Sequence, residues 1–189
     1  MNSLSIKPFH RSTQKGMTFL EVLIALVIMV TGILGAVAMQ ATAKQASFDA
    51  MQRSLASSLA QDIIARMRAN DFLVLADYEG LDYGSGDYVA SEPNRCDQVN
   101  SNCSSALMLA NDKYEWELAI MGGDVTVGTD KKSVGGLVGG LGCIIGNGDS
   151  VSVVVSWQGR TEIKDSKKSG TCGTAGTKRR QVVVEAFII

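Results

Sequence analysis

Three hydrophobic regimes follow one another along the chain. From Val22 to Ala43 there are 22 consecutive positions without a charged residue. At ~1.5 Å per residue, a helix over that run is roughly 33 Å long and crosses a bilayer core. Beyond Lys44 the apolar positions thin to a stripe, Phe48, Met51, Leu55, Leu59, Ile63 and Met67, at steps of 3, 4, 4, 4 and 4. That is one face of a 3.6-residue period. Arg53, Gln61, Arg66 and Arg68 lie largely off it. The pattern predicts one helix from Thr18 to about Asn70, about 50 residues or roughly 75 Å long. Its first half is apolar all round, and its second half is apolar on a face that should dock on a sheet. Gly32 and Gly35 interrupt the first half; small residues there let neighbouring helices approach in lipid.

The third regime has a period of two. Val151, Val153, Val155 and Trp157 alternate, preceded by Gly142–Ile145 and the turn Gly146-Asn147-Gly148-Asp149. Gln158-Gly159 turns the chain, and Arg180–Ile189 supplies a last β-branched strand. Asn70-Asp71 ends the long helix, and residues 72–102 read as an irregular connection broken by Gly80, Gly84, Gly86 and Pro93. Tyr78, Tyr83 and Tyr88 would anchor that connection to the domain. Residues 106–121 fit both periods, but Gly122-Gly123 is a helix stop, which favours a short helix. The glycine run 135–142 fits neither phosphate-loop pattern and reads as a flexible loop or distorted edge strand.

Charge orients the first regime. Lys7, Arg11 and Lys15 precede it with no acid before Glu21, which places the amino terminus in the cytoplasm and everything after Lys44 on the far side. A secretory signal is cut after its apolar core. Here the obvious break, Lys15-Gly16-Met17, lies before it. Glu21 sits in the first turn of the apolar run. A carboxylate costs about 2.5–3.5 kcal/mol at a membrane centre and less near the edge, so Glu21 wants a partner. Thr18 and Glu21 have the spacing of a capping box, which an uncut single-pass anchor would also use.

Cys96, Cys103, Cys143 and Cys172 all follow the apolar run, an even number on the non-cytoplasmic side, which points to two disulfides. Three pairings are open. Their spacing does not suit a metal site, and the one histidine, His10, precedes Gly16. Past residue 16 there is no histidine for Ser-His-Asp or Cys-His catalysis, and Glu115 and Glu117 belong to no recognisable motif. The expectation is a protein with no catalytic residue, cofactor or metal. Removing residues 1–16 takes away three basic residues and leaves 15 Lys and Arg against 19 Asp and Glu, net −4. No basic face for nucleic acid follows from that balance.

Glycine, an apolar residue, Thr, two apolar residues, Glu and then ~20 apolar residues resembles the class III signal of type IV pilins and pseudopilins. The resemblance implies cleavage by prepilin peptidase between Gly16 and Met17, N-methylation of Met17, and an assembly role for Glu21. It implies an α+β pilin fold, a long N-terminal helix packed on an antiparallel β-sheet. Residues 1–16 would be the cleaved leader, 17–43 the transmembrane and polymerisation helix, and 44–189 the periplasmic headgroup. Where many major pilins carry a proline, this chain has Ala38, so local melting would rest on the glycines. Ala60-Gln61-Asp62-Ile63 leading to Arg66-Met67-Arg68-Ala69-Asn70, with Asp112, Trp116 and Leu118, is similar to PilV-type minor pilins. In pilins the segment between helix and sheet is the variable loop. The expected pairing is Cys96–Cys103, clipping that loop, and Cys143–Cys172, tying the central strand to the polar loop before the last strand. That loop contains Lys164, Lys167 and Lys168, read as solvated charge.

A PilV-like chain would start in the inner membrane and end in the pilus. Its partners would be other minor pilins and the major pilin, prepilin peptidase, the inner-membrane assembly platform and a tip adhesin, in a complex that primes assembly and supports motility and adhesion. Two rivals share its leader or topology: a minor pseudopilin of a type II secretion system, and a signal-anchored periplasmic binding protein that never polymerises.

Overall fold

The computed structural model describes residues 16–98, 101–123, 125–129, 132–133, 135–148, 150–163 and 172–188. The leader positions 1–15 and Lys164, Lys167 and Lys168 lie outside them. Helix α1 runs from Phe19 to Ala69 without a break. No proline interrupts it, Glu21 stands in its first turn, and Arg66 and Arg68 stand in its last, signs that suit the helix dipole at both ends. The chain divides into two compact units after Ala43. In the first unit every described side chain is exposed, including Leu23, Leu26, Val30 and Leu34. The second unit holds the core.

Helix α1 stops where Asn70 and Asp71 take up backbone N–H groups. The Asn70 side-chain oxygen accepts from Asp71 N–H at 2.8 Å, and the Asp71 carboxylate accepts from Leu73 N–H at 3.0 Å. The second contact caps a 3-10 helix, Phe72–Tyr78, which leads directly into strand β1, Gly80–Tyr83. This corrects the sequence reading of 72–102 as irregular throughout. Helix α2, Ser105–Met121, follows, with Ser104 as its N-cap and Gly122 as its left-handed C-cap. A two-stranded hairpin, β2 (Thr126–Val127) and β3 (Lys132–Ser133), went unread in the sequence. Then come β4 (Leu141–Asn147), β5 (Ser150–Gln158) and β6 (Arg179–Phe187).

The main sheet is fully antiparallel, in the order β1-β4-β5-β6. The β4–β5 turn is tighter than the four-residue turn expected, since Asn147 already pairs with Ser150. On the inner face Val151, Val153, Val155 and Trp157 are buried as expected, together with Ile144. They pack with Leu59, Ala60, Ile63 and Met67 of α1 and Trp116 and Ile120 of α2. The buried face of α1 is rotated from the predicted stripe. Gln52 and Ala56 are buried, while Met51 is 58% exposed. Gln52 is tolerated inside because its amide donates to Gly136 O at 3.3 Å and accepts from Val138 N–H at 2.9 Å.

The glycine run is a packed joint rather than a flexible loop. Gly122 and Gly136 have φ of +70° and +75°, and a Cβ on either would collide with the other's backbone. Leu137 N–H bonds to Ile120 O at 3.0 Å, locking the run against the end of α2. Disulfides Cys96–Cys103 and Cys143–Cys172 form with Cα atoms 6.0 and 5.8 Å apart. The second joins β4 to the chain entering β6, on the outer face of the sheet beside Val154.

Candidate assembly surface and head interlock

The N-terminal motif begins just ahead of α1. Gly16 and Met17 are exposed, and nothing lies within 4 Å of where a Gly16 side chain would be. Thr18 and Glu21 form a reciprocal cap. Thr18 N–H and Oγ1 donate to Glu21 Oε2 at 2.8 and 3.0 Å, and Glu21 N–H reaches Thr18 Oγ1 at 3.4 Å. The Glu21 carboxylate and the Thr18 hydroxyl therefore each satisfy one of the helix's first orphan donors within the chain. Behind it α1 is long and apolar enough, by length and composition, to cross a membrane. Thr31 folds its hydroxyl back onto Val27 O and Ile28 O at 2.9 and 3.0 Å, directly before Gly32. Such a hydroxyl needs no outside partner in lipid.

In the head, one arginine joins both helices. The Arg66 guanidinium donates to Asp62 at 2.9 Å, to Asp112 at 3.1 Å and to Glu115 at 2.6 Å. Burial would lower its pKa, but hydrogen bonds and charge from those carboxylates outweigh it, and the net shift is upward. Glu115 is the mirror case. Burial pushes its carboxyl up, while Arg66, Asn111 and the charge of Arg95 pull it down further, so it sits below the usual range. Arg95 reaches Glu115 at 2.9 Å and Glu92 at 3.6 Å, tying the segment beside Cys96 to α2. Tyr78 donates to Asp112 at 2.6 Å and accepts from Asn70 at 2.9 Å. Burial, first of all, raises its pKa and keeps it a neutral donor.

Two neighbours on α2 complete the interlock. Trp116 is fully buried, donates Nε1–H to Leu59 O at 2.9 Å, and meets the Tyr83 ring edge-on at 4.8 Å. Glu117, also fully buried, accepts N–H groups from Gly84, Gly86 and Val89 at 2.8, 3.0 and 2.8 Å. Tyr83 and Tyr88 stack at 4.5 Å within the loop so held. The three tyrosines thus anchor the loop, as the sequence suggested. Glu117 was missed because its partners are backbone groups, which carry no side-chain signature. The signals for Arg66 were Asp62 four residues before it and the Asp112–Trp116 spacing.

Among the described residues there is no group of three or more His, Cys, Asp or Glu able to hold a metal ion. What the arrangement does is present one apolar helical surface and brace a head.

A family model described as the prokaryotic N-terminal methylation motif matches residues 11–37, and one described as type IV pilin Tt1218 matches residues 38–114. No curated protein and no solved structure matches the chain. The methylation motif implies a pilin processed by prepilin peptidase, anchored in the inner membrane and later found in pili. Pilin families are structural, and their members associate with other pilins. The two matches adjoin and run from residue 11 to residue 114, more than half of the chain, over the helix and head described above. The chain belongs to the type IV pilin family.

Proposed function

We propose that this chain is a PilV-like minor pilin that takes part in a filament-priming or tip complex of a type IV pilus. The observation that carries the reading is the joining of the two segments resembling PilV-type chains. Arg66 at the end of α1 is paired with Asp112 on α2, and Trp116 is bonded to Leu59. The sequence resemblance and the head interlock therefore use the same residues.

In this reading prepilin peptidase cuts between Gly16 and Met17, and the new amine of Met17 is methylated. Residues 17–43 anchor and polymerise, and residues 44–189 face the periplasm. On assembly, Glu21 of one subunit gives up its bond to Thr18 and neutralises the Met17 amine of a neighbour. A charge pair in a low-dielectric helix bundle attracts strongly, but desolvation offsets much of that, so the pair acts mainly as a register mark. The partners are other minor pilins, the major pilin, the inner-membrane assembly platform and a tip adhesin. Deleting the chain should lower filament number and twitching motility, and the wild-type chain should appear in sheared filaments at a small fraction of the main subunit. Its absence from filaments, with loss of enzyme export on deletion, would instead identify a type II secretion pseudopilin.

A further inference from the structure

The two disulfides sit in opposite surroundings. Cys143 and Cys172 are 0% and 1% exposed, packed with Val154 on the outer face of the sheet. Cys96 and Cys103 are both partly exposed and lie in the connection between β1 and α2. A disulfide is opened by a thiolate that reaches one of its sulfurs, so access decides which of the two exchanges while the head is folded.

Both cysteines of the partly exposed pair are held by contacts that do not pass through the S–S bond. Upstream, Cys96 N–H donates to Asn111 Oδ1 at 3.4 Å, and the neighbouring Arg95 donates to Glu115 at 2.9 Å and lies over the Tyr114 ring at 5.3 Å. Downstream, Cys103 runs straight into Ser104, the N-cap of the 17-residue α2, whose hydroxyl accepts from Leu107 N–H at 3.4 Å. Cleaving the bond therefore leaves each sulfur tethered to the same helix, near its former partner. The two are unequal as leaving groups. Cys103 stands at the positive end of α2, where a thiolate is favoured, whereas Cys96 is flanked by Arg95 and Asp97, whose charges oppose each other.

We infer that Cys96–Cys103 is a thiol–disulfide exchange site on the folded head, with a vicinal dithiol as its substrate. One thiolate of the dithiol attacks Cys96 Sγ; the Cys96–Cys103 bond breaks and Cys103 leaves as the thiolate. The second thiol of the reagent, as its thiolate, attacks the mixed disulfide and releases Cys96, so the reagent ends as a disulfide. Two electrons and two protons pass to the chain. The helix end sets which sulfur is attacked, and the tethers to α2 let a disulfide oxidant close the same pair again. The head thus has a second, dithiol state with its core unchanged, and this holds whether or not the chain primes a filament.

The test keeps the full chain in detergent without denaturant and supplies dithiothreitol or reduced thioredoxin as the dithiol. Samples are quenched in acid, alkylated and mapped by mass spectrometry, with tryptophan emission followed in parallel. Cys96–Cys103 should open at least ~10-fold faster than Cys143–Cys172, with the emission of the buried Trp116 and Trp157 unchanged. Opening by both reagents assigns protein dithiols as a source, and opening by dithiothreitol alone assigns small ones. With the monothiol 2-mercaptoethanol, the first adduct should sit on Cys96 at least ~3-fold more than on Cys103. Once the reductant is removed, oxidised glutathione should re-form the same pair, and Arg95→Gln should slow that closure at least ~3-fold. The inference is overturned by equal opening rates of the two disulfides, by opening only as tryptophan emission is lost, by first adducts mainly on Cys103, or by closure as fast in Arg95→Gln as in wild type.

Discussion

Replacing Glu117 by glutamine tests how the loop between β1 and α2 is held. The wild-type carboxylate accepts from Gly84 and Gly86 on one oxygen and from Val89 on the other, all at 2.8–3.0 Å. Glutamine keeps the shape but puts an NH2 where one oxygen stood. With its oxygen kept on the glycine side, Val89 N–H faces a second donor. A bond to a charged group contributes about 1.5–3 kcal/mol and a neutral one about 1, so two weakened bonds and one lost bond come to roughly 3–6 kcal/mol. Burying a neutral amide is cheaper than burying a carboxylate, which returns about 1–3 kcal/mol. The expected net loss, from the middle of both ranges, is about 2.5 kcal/mol. The measurement is urea unfolding of the full chain in detergent, read by tryptophan emission. The chain has two tryptophans, and both Trp116 and Trp157 are buried. Amide exchange at Gly84, Gly86 and Val89 should quicken at least ~10-fold, in step with the lost bonds. A midpoint equivalent to less than ~0.5 kcal/mol of change, with those three amides as protected as before, would refute the reasoning.

Four further outcomes follow from the sites described. Gly16→Leu should block peptidase cleavage, leaving an inner-membrane protein that keeps the first 16 residues; Edman sequencing of the wild-type chain should start at N-methylated Met17, and any other start contradicts the assigned cut. Glu21→Gln should still be cleaved and membrane-bound yet be missing from sheared pili, with fewer pili made; normal incorporation at normal filament number would show the charge to be dispensable. Glu115 has a depressed pKa in the folded state, so its contribution is present above the ordinary glutamate range and lost as pH falls through the folded value. The urea midpoint should therefore drop between pH 5 and pH 3, and more steeply in wild type than in Glu115→Gln; parallel profiles would contradict this. Removing Cys143–Cys172, with a sequence separation of 29, should cost about 3.6 kcal/mol, and removing Cys96–Cys103, with a separation of 7, about 2.4 kcal/mol by loop entropy; the reverse order in chemical denaturation would count against that account.

Long, repeated signals were legible in the chain. The apolar run and its amphipathic continuation marked α1 to within a residue or two, and the alternating valines marked β5. The Gly122-Gly123 stop settled α2 against a strand. What escaped was structure imposed by neighbours. Strand β1, Gly-Leu-Asp-Tyr, has little intrinsic strand character and forms because β4 pairs with it and Tyr83 is fully buried. The predicted stripe on α1 overran its cover. Phe48 lies under the Arg160 guanidinium at 4.1 Å rather than under the sheet, and Gln52 replaces an apolar residue because the glycine run satisfies its amide. The glycine run itself looked loose because composition cannot reveal two backbones in contact. Gly16, Met17 and Glu21 were singled out by a motif, whereas Glu117 answers to main-chain groups and left no trace in the pattern of side chains.

The mode of attachment of residues 84–89 sets what evolution can change there. Glu117 grips N–H groups, which every residue but proline possesses, and two of the three positions it holds, Gly84 and Gly86, have left-handed φ of 102° and 97°. Ser85 and Asp87 lie between and beyond those clamps without supplying a side chain to them. Their identities can drift while the path of the loop stays constant. The outward chemistry of the head is thereby uncoupled from its folding, and a lineage can rewrite what this loop displays without renegotiating how it is held.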